Sequence, residues 1–181
     1  MRLYILKLKN KPLYSIARLT RAILLDLDRF LHPAKPGKKH AHYDFQHQAA
    51  LARDHCTFDN PAYSRAVQQL ENFSAHLERI RFDAHGRAAQ GDEFIRYSFF
   101  LLHEALEIIY RNLVALRRRP PFPDIRVISG HARKNLQLAR RQAAMDDADF
   151  IGNLKFDSIY VSLGKCFDCL EQYFDALSAI R

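Results

Sequence analysis

From residue 92 to residue 117 the apolar side chains recur in alternating steps of four and three: Ile95, Phe99, Leu102, Leu106, Ile109, Leu113 and Leu116. That spacing stacks side chains along one face of an α-helix. A second stripe, Phe94, Ser98, Leu101, Ala105 and Ile108, runs beside the first. Two adjacent stripes exceed the arc of a helix that packs on one side only, so the pattern predicts a helix enclosed by several others. Asp92 is placed to cap its start. Arg117, Arg118 and Arg119 fall at its negative end, and Pro120 is expected to stop it.

The same periodicity marks the other helices. Asn10 and Pro12 look like a start, and Leu13, Ile16, Ile23, Leu27 and Phe30 carry a stripe down to Leu31. Residues 32–40, with two prolines, a glycine and three lysines, read as a loop. A second helix over about 41–56 shows Phe45, Ala49, Ala52 and Cys56, small residues that permit close packing. Asp59, Asn60 and Pro61 combine a capping side chain with a proline in the first turn. They open a third helix that runs to about Arg81 on Tyr63, Val67, Leu70, Phe73, Leu77 and Ile80.

After the central helix, Asp124 can cap a fifth on Ile125, Ile128, Ala132, Leu136, Ala139 and Ala143. The last helix starts somewhere between Asp149 and Ser158, because Gly152 and Asn153 can form a turn. Its stripe runs Phe156, Ile159, Leu163, Cys166, Leu170, Tyr173, Leu177 and Ile180. Residues 1–9 alternate Leu6 and Leu8 with Lys7 and Lys9 and are ambiguous. The expectation is an all-α, antiparallel bundle of five to six helices, because short connections favour antiparallel neighbours. A chain of 181 residues fits a single domain, with the basic region 1–39 able to stand partly apart.

Composition narrows the class rather than the function. No apolar run is long enough to cross a bilayer, and lysines and arginines interrupt any N-terminal signal core, so a cytoplasmic, non-transmembrane protein is expected. The odd count of 3 Cys fits a reducing compartment. The pattern leaves room for a homo-oligomer.

Charge is laid out in blocks. Residues 1–39 hold ten Lys/Arg against two Asp, and residues 111–141 hold nine against Asp124 alone, whereas 40–110 and 142–181 are mildly acidic. On the fifth helix Arg126, Arg133 and Arg140 repeat every seven residues, away from the Ile/Leu/Ala stripe. Basic helices packed beside acidic ones would neutralise each other. Otherwise Arg117, Arg118, Arg119, Arg126, Arg133, Lys134, Arg140 and Arg141 form a surface for nucleic acid, an anionic membrane or an acidic protein. No aromatic residues interleave the ridge, which disfavours base stacking.

Three groups carry candidate chemistry. Cys166 and Cys169 have redox spacing, but they lie inside a helix and on its apolar stripe, so they are expected in the core. His40, Asp44 and His47 fall on one helical face, and His103 and Glu107 are four apart, which makes them weak metal candidates; no E-x-x-H occurs. Arg126-Val-Ile-Ser-Gly-His131 is similar to the arginine–histidine motif of the HEPN family, and Arg96…His103 fits its longer spacing. The family's helical bundles include metal-free ribonucleases. The resemblance implies that Arg126 steadies phosphate and that His131 transfers a proton or orients the attacking hydroxyl. P-loop, Rossmann, serine-hydrolase and H-E-x-x-H patterns are missing from the sequence. The leading expectation is therefore a binding module with a basic surface, no cofactor and no catalysis. A HEPN-like ribonuclease and a metal-binding bundle are the alternatives.

Overall fold

The computed structural model describes residues 11–32, 45–55, 60–83, 92–115, 124–145 and 150–180. Six helices fill these segments: α1 (Lys11–Leu31), α2 (Phe45–His55), α3 (Pro61–Asp83), α4 (Glu93–Val114), α5 (Arg126–Met145) and α6 (Phe150–Ser178). No strand occurs among the described residues, and the fold is an all-α bundle. None of the helices described is long and apolar enough to cross a membrane.

Local chemistry sets three of the six helix starts. The Asn60 carboxamide accepts from Ala62 N at 2.9 Å, with Pro61 in the first turn where its missing N–H costs nothing. Asp92 caps α4 through Ile95 N at 2.8 Å, and Asp124 accepts from Arg126 N at 2.9 Å. Each satisfies an amide that the helix itself leaves without a partner. α6 begins at Phe150 and runs unbroken through Gly152 and Asn153. The central helix is shorter than its sequence pattern. Ala115 leaves helical geometry (φ −79°, ψ 67°), so α4 ends at Val114, not near Arg117. Proline constrains its own φ, the residue before it and the carbonyl four residues earlier, so Pro120 disfavours helix near Leu116 but does not by itself place the end at Val114.

Both stripes of α4 are covered, as their width requires. Ile95, Leu102, Ala105, Leu106 and Ile109 have no exposed surface, and α1, α5 and α6 surround them. The most extensive helix pair is nevertheless α3 with α6. Residue numbers rise along one helix and fall along its neighbour in three pairs. Asp28 meets His103 at 3.0 Å, and Phe30 stacks on Phe99, which makes α1 and α4 antiparallel. Ser158 at the start of α6 donates to Asp83 at the end of α3, at 2.9 Å. Ion pairs between α5 and α6 run in the same opposed order. α2 lies beside α1 and α3, with His55 and Ser15 sharing a hydrogen bond at 2.8 Å and Arg53 on Glu71 at 3.0 Å.

One buried polar pair ties the two ends of the chain together. Thr20 has no exposed surface and donates to Ile16 O at 2.9 Å. Its single proton is thus committed, so the Tyr173 hydroxyl, 2.7 Å away, donates to Thr20 Oγ1. Burial pushes the Tyr173 phenol well above its ordinary pKa, which keeps it a neutral donor.

Leu106→Ala empties an enclosed site and should cost about 2–5 kcal/mol in chemical denaturation. A loss under about half a kcal/mol would mean that α4 is peripheral. Thr20→Val orphans a buried phenol and should cost about 1–3 kcal/mol. Tyr173→Phe should cost less, because Thr20 keeps its bond to Ile16 O; the reverse order would refute the assigned donor direction.

Candidate functional site

The arginine ridge of α5 faces carboxylates of α6. Arg126 Nη2 lies 2.7 Å from Asp175, and Arg140 Nε lies 2.7 Å from Asp157. Arg133 grips both oxygens of Glu171, at 2.9 and 2.8 Å, and reaches Asp168 at 2.9 Å. Hydrogen bonds to Glu171 and then to Asp168 raise the Arg133 pKa further above its ordinary value. The Arg126 guanidinium also sits over the Phe174 ring. An external anion at this ridge would have to displace carboxylates already in place. Three arginines of the basic segment are therefore paired with acids of the C-terminal segment along one helix pair.

The other basic candidates lie elsewhere. Lys134 and Arg141 are exposed and have no ion-pair partner among the described residues. They belong to a stripe on the outer face of α5: Val127, His131, Lys134, Leu138, Arg141 and Met145, again in steps of four and three. Its apolar members are strongly exposed, Val127 at 64%, Leu138 at 56% and Met145 at 84%. α5 has no acidic residue along its length. Arg117, Arg118 and Arg119 lie outside the described residues.

The ribonuclease pair does not converge within the chain. Five residues on an α-helix turn through about 140° of net angle. Arg126 accordingly points to α6 and Asp175, whereas His131 is exposed on the outer face. In the longer-spaced pair, His103 Nε2 lies 3.0 Å from Asp28, and Arg96 is exposed on α4.

Of the weak metal candidates, His40 and Asp44 lie outside the described residues, and His47 is exposed on α2. His103 faces Asp28, and Glu107 accepts from Arg111 at 2.6 Å. Among the described residues no group of three or more His, Cys, Asp or Glu side chains gathers as a metal site would require. Cys166 and Cys169 are free thiols in the core, and Cys56 lies outside the described residues. Burial pushes the Cys166 thiol well up. Burial, with the Asp168 charge adding, pushes Cys169 up to about 11. A reactive C-x-x-C needs the opposite shift.

A cavity of about 410 Å³ opens where the start of α4, the end of α5 and the first turns of α6 meet. Asp92, Phe94, Gln142, Met145, Phe156 and Tyr160 are among its walls. Tyr160 is 4% exposed and donates to Asp92 Oδ2 at 2.8 Å, while Asp92 Oδ1 caps α4. Burial, the hydrogen bond to Asp92 and the Asp92 charge all push the Tyr160 phenol upward, so it stays protonated. Phe156 and Tyr160 stack, with centroids 6.2 Å apart. Sequence reading missed this site because 68 residues separate Asp92 from Tyr160. Asp92 showed there only as a cap.

No protein-family model, curated protein or solved structure matches the chain.

Replacing Arg133 and Arg140 by Gln should lower the melting temperature slightly at low salt, since exposed pairs contribute about 0–1 kcal/mol each. The loss should shrink near 1 M salt, where the screening length is about 3 Å. A loss that ignores salt would mean that packing, not charge, is at stake. For Cys169, the raised native pKa means that the neutral thiol's stabilising contribution is whole below the unfolded value of 9.0. That contribution fades as pH rises from there through about 11. Between pH 8 and 11, Cys169→Ala should therefore lose less stability than wild type. Equal losses in parallel melts would contradict the shift.

Proposed function

We propose that the protein is a non-enzymatic interaction module whose partner is an acidic, amphipathic helix laid along the outer face of α5. The observation that carries this reading is the stripe Val127, His131, Lys134, Leu138, Arg141, Met145, exposed throughout. Apolar anchors at helical spacing are what a helix-binding surface uses. Three large exposed apolar side chains in one line are more than scattered surface residues.

Charge selects the occupant. With no carboxylate on α5, a second copy packed along the same face would bring Lys134 and Arg141 against their own kind. A broad anionic bilayer would also meet Asp168 and Asp175, whose side chains are 56% and 57% exposed on the neighbouring edge. A narrow acidic helix touches the stripe alone, burying Leu138 and Met145 and setting its acids against Lys134 and Arg141.

The test uses a labelled helical peptide with leucines at four-three spacing and flanking glutamates, followed by fluorescence anisotropy against the full chain. Saturable binding that weakens with salt is expected. Leu138→Ser and the double change Lys134→Glu, Arg141→Glu should each weaken it about tenfold or more. Melting temperatures should hold, because these side chains are exposed. Equal binding of a lysine-flanked peptide would sink the reading. So would tighter binding of RNA, DNA or anionic vesicles that depends on the same residues.

A further inference from the structure

The cavity between α4, α5 and α6 has walls suited to one class of small molecule, independently of the docking face. Among the described residues, Asp92 is the one formally charged side chain that lines it. Three aromatic rings, Phe94, Phe156 and Tyr160, and the Met145 thioether supply polarisable, apolar surface. The Asp92 and Tyr160 oxygens present lone pairs to the cavity. A carboxylate only accepts, and the Tyr160 proton is already spent on Asp92, which leaves its oxygen lone pairs. Gln142 and Asn153 add carboxamides, which can accept through the oxygen or donate through the amide. Asp92 uses one lone pair on each oxygen, for Ile95 N and for Tyr160, and a carboxylate offers about four.

Helix ends adjust this charge without reversing it. Asp92 offsets the positive end of α4, and the cavity is also lined by Met145, the last residue of α5, where a helix carries partial negative charge. The volume lies near the lower end of the range for small-ligand sites, about 300–1,000 Å³. An ammonium group beside a carboxylate and over aromatic faces gains both charge pairing and cation–π attraction. An anion would meet Asp92, and a neutral apolar body would leave its remaining lone pairs unused.

We propose that this cavity is a binding site for a small organic ammonium ion, with its charge at Asp92 and its alkyl groups against Phe94, Phe156 and Tyr160. Choline serves as the probe, and 3,3-dimethyl-1-butanol as its uncharged counterpart of nearly the same shape. Isothermal titration of the full chain should show saturable, one-to-one choline binding and at least about tenfold weaker binding of the neutral alcohol. Asp92→Asn keeps a capping side chain, because Asn caps about as well as Asp. It should weaken choline by about tenfold or more; the melting temperature should fall as well, because Tyr160 loses its acceptor. Binding is therefore compared on protein that circular dichroism shows to be folded. Phe156→Leu keeps the bulk and removes the ring, and should weaken choline about two- to fivefold while leaving the alcohol's binding nearly unchanged. Wild type that binds both probes equally, or neither, overturns the assignment without reference to any variant. Undiminished choline binding by a folded Asp92→Asn protein overturns it as well.

Discussion

The burial of α6 is the constraint on which the rest of the arrangement depends. Its side chains from Ile159 to Leu177 are enclosed over most of the helix circumference, including Leu163, Cys166, Phe167 and Tyr173 at 0–1% exposure. A helix apolar over so wide an arc has to be covered from several directions. α3 covers it most extensively, and α5 and α4 flank it. Tyr173 adds a directional requirement, since its hydroxyl finds its acceptor at Thr20 on α1. Hydrophobic burial thus brings the helices together, and a buried hydroxyl pair links α1 to α6.

Along one edge of α6 the acids Asp157, Asp168, Glu171 and Asp175 remain at the surface. They meet the arginines that α5 presents to that edge when its apolar stripe faces the core. With Arg126, Arg133 and Arg140 drawn to that edge, Ser129, Ala132, Leu136 and Ala139 face the core. Asn135 then donates to Phe94 O at 2.9 Å and Ser98 Oγ at 3.0 Å on α4. The stripe from Val127 to Met145 has nowhere to point but outward. Apart from Leu136, the buried residues within α5 are small, and its ion pairs are exposed, so each contact that holds it is individually weak. Elements with little buried apolar area are the ones that open first and most readily serve binding.

The net charge of +8 is a poor guide to where this protein attracts anions. Arg29 and Arg81 share Asp26, Arg53 meets Glu71, Arg111 meets Glu107, and the α5 ridge meets α6. Much of the positive charge is answered within a few ångströms. What remains distinctive is local: a cation-bearing apolar stripe on α5 and, at the end of the same helix, a cavity lined by the Asp92 carboxylate. Met145 belongs to both.

The sequence by itself determined the helices. Four-three spacing places Ile95 to Leu113 in the core, and capping residues such as Asn60, Asp92 and Asp124 mark starts within a residue or two, because a cap acts over three residues of chain. It also placed Cys166 and Cys169 inside, since both lie on or beside an apolar stripe. The end of α4 at Val114 was not legible, as apolar spacing continues to Leu116 and only backbone geometry at Ala115 breaks it. Tertiary structure alone decided which carboxylates meet Arg126, Arg133 and Arg140, and hence that these arginines are paired. It alone set Tyr160 on Asp92 and left Val127, Leu138 and Met145 uncovered. The reason is that helix formation depends on neighbours three or four residues away, whereas a site depends on which helix faces become adjacent. That adjacency is fixed by burying all the stripes at once, and no single stretch of sequence contains it.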